Sequence, residues 1–221
     1  AFMRVKRLAD DDELLAARLT NGKNEVLMAT RCGRAIRFNE SIIRPIGRTG
    51  QGVKGITLSN PDDEVVGMVC VKNMDDDILV VSEKGYGKRS KIEDYRVTNR
   101  GGKGVLTMRI SEKTGDLIAI KNVNEDNDLM IINKSGITIR LAVADVRITG
   151  RATQGVRFIN LDKKQDEIAS VTKVLAEHLE DVIIEEDADS DEGLIEGDVN
   201  SGLKDDDEGL NDNIEEKNDN L

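Results

Sequence analysis

Apolar positions along this chain fall in short runs, each followed within a few residues by a glycine. Residues 26–29, 78–81 and 129–132 are such runs, and the glycines are Gly33, Gly85 and Gly136. Runs this short and rich in β-branched residues read as strands. Beyond the glycines, Ala35-Ile36-Arg37-Phe38 and Ile137-Thr138-Ile139-Arg140 alternate apolar with polar, as half-buried strands do. Acidic clusters at Asp75-Asp76-Asp77 and Glu125-Asp126-Asn127-Asp128 punctuate the pattern as turns.

The pattern repeats. The three glycines stand 52 and 51 residues apart, and a second marker keeps the same step. Gly47-Arg48-Thr49-Gly50-Gln51-Gly52-Val53-Lys54, Asn99-Arg100-Gly101-Gly102-Lys103-Gly104 and Gly150-Arg151-Ala152-Thr153-Gln154-Gly155-Val156-Arg157 share one frame, with arginines at 48, 100 and 151. A period near ~50 residues with about four strands per unit suits propeller blades. One such sheet cannot bury both of its faces, so units must stack around a centre or along an arc. The expected fold is all-β, with units at about 13–60, 64–113 and 114–163 and a boundary at Pro61-Asp62-Asp63. Residues 1–8 read as the last strand of an upstream blade, which makes the chain a fragment. Residues 168–174 read as a strand added to a neighbouring blade. The repeat domain spans 1–178, and 179–221 forms a tail.

Composition narrows the choices. With no Trp, two Tyr and three Phe, the core must be aliphatic. No apolar run is long enough to span a membrane as a helix, and no signal-peptide pattern opens the chain. Cys32 and Cys70 lie in or beside strand-like segments and read as small buried hydrophobes of a reduced protein. The net charge of −11 is unevenly spread. Residues 180–221 hold 18 acidic residues against Lys204 and Lys217, leaving 25 acidic and 30 basic residues in the remainder. A mildly basic body therefore carries an acidic tail that is expected to be disordered. Asp187, Asp189 and Asp191 have the opening spacing of an EF-hand loop, but Glu192 stands where its glycine belongs. His178, the only histidine, has no second ligand or catalytic partner in the sequence nearby. No metal or cofactor is expected in this chain.

The basic residues recur in register: Arg37 with Lys88 or Arg89 and with Arg140, and Arg44 with Arg96 and Arg147. The shared loops add Arg48, Lys54, Arg100, Lys103, Arg151 and Arg157. Gly101, Gly102 and Gly104 are expected to let the backbone turn with positive φ and bring a partner close. Equivalent cations on a rim make a curved positive track. Such a track suits duplex DNA that is bent without being read, since no aromatic platform for stacking bases is visible. Bending a 20–30 bp segment costs on the order of 1–6 kcal/mol, which distributed phosphate contacts must offset.

These motifs resemble the C-terminal domain of the bacterial DNA gyrase A protein. Arg100-Gly101-Gly102-Lys103-Gly104 resembles the core of that family's box. Gly85-Tyr86-Gly87-Lys88-Arg89, followed by Ile92-Glu93-Asp94-Tyr95, is also family-like. The resemblance covers about residues 1–175. It implies a six-bladed β-pinwheel, of which about three blades are here, with DNA wrapped on its outer edge. It implies a cytoplasmic, chromosome-associated A2B2 holoenzyme with the gyrase B protein that uses ATP and Mg to introduce negative supercoils. The ATP site and the catalytic tyrosine would lie elsewhere, since Tyr86 and Tyr95 do not match the latter's motif. The family's principal box belongs to a first blade that this chain lacks. Two rivals stand beside this reading: the related C-terminal domain of topoisomerase IV, and a propeller-type scaffold for a protein partner.

Overall fold

The computed structural model describes residues 12–47, 50, 52–161 and 166–176. The expected strand at 1–8, Arg48, His178 and the acidic tail lie outside the described residues.

Eleven strands and no α-helix are found among the described residues. The strands are β1 (Glu25–Thr30), β2 (Arg34–Asn39), β3 (Val65–Val71), β4 (Asp77–Ser82), β5 (Tyr86–Lys91) and β6 (Val105–Leu106). They continue with β7 (Leu117–Val123), β8 (Asn127–Asn133), β9 (Thr138–Ala142), β10 (Val156–Arg157) and β11 (Ile168–Leu175). They form three antiparallel sheets, in the orders β3-β1-β2-β6, β7-β4-β5-β10 and β11-β8-β9. Each sheet is built on a hairpin whose turn holds Gly33, Gly85 or Gly136 at φ of 75°, 83° and 86°. Left-handed backbone at that point is what places a glycine there in every repeat.

The sheets are not cut where the sequence suggested. β3 follows Pro61–Asp63, yet it pairs with β1, and β7 and β11 stand in the same relation to β4 and β8. Residues 168–175 are therefore the third repeat's own strand rather than an addition to a neighbour. In the other direction, β6 and β10 cross over to complete the sheet of the preceding hairpin. The crossing is marked by equivalent hydrogen bonds, Thr107 N to Gly33 O and Phe158 N to Gly85 O, both 2.8 Å.

Burial explains the uniform apolar run at 78–81. The middle sheet is covered on both faces. Ile78 and Val80 join one core with Leu27, Ala29, Tyr95, Met108 and Leu117. Leu79 and Val81 point the other way, into a second core with Leu129, Ile131, Val143 and Val146. Each of these fully buried aliphatic side chains contributes roughly 1.5–3 kcal/mol. A two-sided strand has no polar face to alternate with.

Candidate nucleic-acid interface

The glycine–arginine loops are parts of the blade joints. In loop 98–104, Thr98 N donates to Arg37 O (2.8 Å) and Gly101 N to Gly55 O (2.6 Å). Thr57 returns two bonds, from N to Gly102 O (2.8 Å) and from Oγ1 to Gly101 O (2.6 Å). Gly104 has φ of 69°, and a Cβ there would sit on the Ala35 carbonyl, 2.7 Å from its carbon. Gly155 repeats the arrangement on Gly87, with φ of 82° and the carbonyl carbon at 2.8 Å. The missing side chain at Gly104 thus makes room for the neighbouring strand. That differs from the expectation that it clears space for a partner. Gly102, by contrast, is exposed and lacks positive φ.

The loop arginines run along the same joints. Arg100 Nη1 donates to Lys54 O at 3.2 Å, and Arg151 Nη1 to Leu106 O at 2.6 Å. Lys54 and Leu106 are repeat equivalents, so each loop is tied back to the one before it. Arg151 Nε also donates to Asp94 O at 3.0 Å. Successive loops therefore form a connected rim.

Three expected contact residues are buried, which corrects their place in the track. Arg37, 6% exposed, is paired with Glu25, and its Nη1 donates to the carbonyls of Ile92 (2.8 Å) and Tyr95 (2.9 Å). Arg89, 4% exposed, lies 3.5 Å from Asp77. Lys88 is fully buried, its Nζ donating to Gly150 O (2.9 Å), to Arg151 O and to Thr153 Oγ1 (3.4 Å). Burial pushes its ammonium down to about 7; Arg151 adds to this and Asp94 opposes it. Arg140 stays partly exposed but is bonded to Asp128 at 2.6 Å. Arg37, Arg89 and Arg140 are one structural series, paired across their hairpins with Leu27, Leu79 and Met130, and the first two also form equivalent parallel bridges, Arg37↔Val97 and Arg89↔Ile148. Their acidic partners Glu25, Asp77 and Asp128 keep the 52 and 51 residue steps, a signal present in the sequence, where Asp77 and Asp128 read only as parts of turns.

The second series is different. Arg44, Arg96 and Arg147 are all exposed. Each lies two residues beyond a one-turn 3-10 helix, at Glu40–Ile42, Ile92–Asp94 and Val143–Asp145. None of the three forms an ion pair among the described residues. The two series are linked: buried Arg37 bonds the turn from which Arg96 emerges. Lys54 and Lys103 are also exposed. Arg157 is exposed and lies 5.1 Å from the centre of the Tyr86 ring, whose hydroxyl accepts from its Nε (3.0 Å) and Nη2 (2.6 Å). A groove of about 230 Å³ opens beneath loop 98–104, with Ile36 among its lining and Arg96, Asn99 and Lys103 at its sides.

Tyr95 is fully buried, with its hydroxyl 2.6 Å from Thr107 Oγ1, and burial pushes its phenol up to about 12. Cys32 and Cys70 are free thiols. Among the described residues, no three His, Cys, Asp or Glu side chains are grouped to hold a metal ion. No helix there is long and apolar enough to cross a membrane.

Similarity to known proteins follows these repeats. Residues 24–72, 76–124 and 127–174 match the family described as DNA gyrase C-terminal domain, beta-propeller. The DNA gyrase A protein of Staphylococcus aureus strain MRSA252 is 48% identical over 181 residues, as is that of strain NCTC 8325 / PS 47. Each match takes in 78% of this chain and 20% of the relative, so the chain spans a fifth of the length of these relatives. A solved DNA gyrase A C-terminal domain superposes with a TM-score of 0.70 at 29% identity, covering 77% of this chain and 57% of that one. The C-terminal domain of DNA topoisomerase IV gives a TM-score of 0.72 at 24% identity, covering 77% and 53%, a likeness of fold alone. With three matched repeats, each closed by a strand from the next where the described residues reach it, this chain belongs to the DNA gyrase C-terminal domain, beta-propeller family.

Proposed function

We propose that this chain is the DNA-wrapping part of a gyrase A protein, binding duplex DNA along the rim formed by its three repeats. The observation that carries this reading is the series Arg44, Arg96 and Arg147: exposed, outside any described ion pair, and at one repeat position. Lys54 and Lys103 add charge beside it, and Arg100 and Arg151 keep successive loops in line. Arg48, in the first loop, belongs to the same proposed set by sequence. Phosphates are the ligand such spacing fits, because cations on a connected rim release counterions together and offset duplex stiffness. Among the described residues no aromatic side chain is exposed for bases to stack on, so affinity should tolerate any sequence.

In the intact enzyme the chain would work with the gyrase B protein and the remainder of the gyrase A protein, in the cytoplasm and on the chromosome. ATP and Mg would be bound on those other parts, which carry the strand passage. The test is topological. Relaxed plasmid is incubated with this chain, sealed with ligase and examined for a shift in linking number. A shift that grows with protein concentration and disappears in high salt is expected. Failure to shift random duplex in a gel at 50 mM salt would overturn the reading.

A further inference from the structure

At Lys88 the repeats disagree chemically beneath the rim. Its equivalents are Ile36 and Ile139. Ile36 is buried, with its Cδ1 close to the site of Gly102 in loop 98–104, and it makes an apolar support for that loop. Beneath loop 149–155 the same position carries a charge. The Lys88 ammonium has three N–H donors, and it faces three acceptors, Gly150 O, Arg151 O and Thr153 Oγ1. Its match to these oxygens is complete only while it is protonated.

We propose that Lys88 is a positioning residue for DNA: its buried ammonium holds loop 149–155 in place and couples duplex binding at that loop to uptake of a proton. The inference rests on the proposed function above. Its chemistry is reciprocal. The Arg151 guanidinium and Lys88 lie close enough to repel, and Asp94 is the acidic group that opposes this. The nearest paired strand residue, Val80, is apolar, so Arg151 and Asp94 are the charged groups that face the ammonium. A phosphate bound at Arg151 adds negative charge beside both cations and favours the protonated lysine. By linkage, protonation must then favour the phosphate to the same degree. Burial, which places the ammonium near neutrality, brings this exchange into the working pH range. Loop 98–104, supported by Ile36, has no such dependence.

The experiment uses the full chain and a random duplex labelled for fluorescence anisotropy, titrated from pH 6 to 9 at constant ionic strength. Calorimetry at pH 7.5 in two buffers of different ionisation heat counts protons. Affinity should fall with pH between 7 and 8.5, by no more than about tenfold per pH unit for one proton. Lys88→Met should flatten this profile and abolish the proton uptake. Lys88→Ile, which installs the residue of the other repeats, should do the same, and protects the test from a variant that fails to fold. A wild-type profile as flat as that of Lys88→Met, or one whose slope survives in both variants, overturns the proposal. No binding of duplex at any pH overturns the function itself. In that event the loop half is still decided by amide exchange: Thr153 N should exchange faster in Lys88→Met, and equal rates would overturn it.

Discussion

Gly104→Ala tests whether the loop glycines serve the blade joint. The residue has φ of 69°, and an added methyl would collide with the Ala35 carbonyl, with Ile36 N at 3.2 Å. Left-handed backbone costs an L-residue about 1–2 kcal/mol. The collision is with the backbone of β2, so it can be relieved only by moving β6 away. That loosens the pairs Arg34↔Leu106 and Ala35↔Val105. Two net hydrogen bonds are worth about 2 kcal/mol. The sum, about 3–4 kcal/mol, is a large part of the ~5–15 kcal/mol that holds a domain together. Gly136→Ala is the control for conformation, since Gly136 has φ of 86° and nothing within 4 Å, and it should cost only the backbone term, about 1–2 kcal/mol. Gly102→Ala is the control for position. It lacks positive φ and meets only Ile36 Cδ1 at 3.6 Å and Asn99 O at 3.8 Å, both ordinary contacts, so its effect should stay within about 0.5 kcal/mol. Urea unfolding followed by far-UV circular dichroism ranks the three. A Gly104→Ala midpoint no lower than that of Gly136→Ala would refute the account of the joint.

Replacing Arg44, Arg96 and Arg147 together by Gln should lower the log–log salt slope of duplex binding by about 0.9 per lost phosphate contact, with little change in the unfolding midpoint; an unchanged slope removes these residues from the interface. Arg37→Met should destabilise by about 3 kcal/mol, because it strands Glu25 and frees the carbonyls of Ile92 and Tyr95, and a double-mutant cycle with Glu25→Gln should recover part of the loss. Truncation before Glu180 removes 18 acidic residues, so duplex affinity at low salt should rise; equal affinity would mean that the tail does not compete for the rim. For Lys88 the folded pKa is depressed below 10.5, so the unfolded chain binds more protons between about 7 and 10.5. Stability should therefore rise with pH across that window, by at most about 1.4 kcal/mol per pH unit, and denaturant melts of Lys88→Met should lack the rise.

The repeat, the hairpin glycines and the strand runs were legible because each depends on local chemistry. A glycine at positive φ and a β-branched run announce themselves in any one unit, and a fixed step confirms them. The exchange of β6 and β10 between sheets was not legible, because two-residue strands such as Val105–Leu106 leave no periodicity. For the same reason the boundary at Pro61–Asp63 looked like the end of a unit. A proline and two acids mark a turn equally well inside a sheet and between sheets. Burial was the other hidden quantity. Arg37 and Arg44 are both cations at repeat-matched positions, and nothing within a few residues of either says that one is 6% exposed and the other faces water.

What separates the two series is a partner at the same period. Arg37, Arg89 and Arg140 each have a carboxylate 12 residues earlier, on the strand paired with their own. Diagonal cross-strand neighbours lie within reach of a long side chain, so a charge there can be neutralised inside the sheet. Arg44, Arg96 and Arg147 leave the sheet through a 3-10 turn, where no paired strand exists to supply such a partner. Of the acidic residues in those turns, Glu93, Asp94 and Asp145 are exposed, while Glu40 is buried and accepts from Asn24 N. A cation series with an acidic series in step is thus structural, and one without it is free to meet phosphate. Lys88 belongs to neither. Its ammonium is met by loop carbonyls instead of a carboxylate, so its charge is not neutralised by a neighbouring strand, and the loop it supports is the one whose hold on DNA can answer to pH.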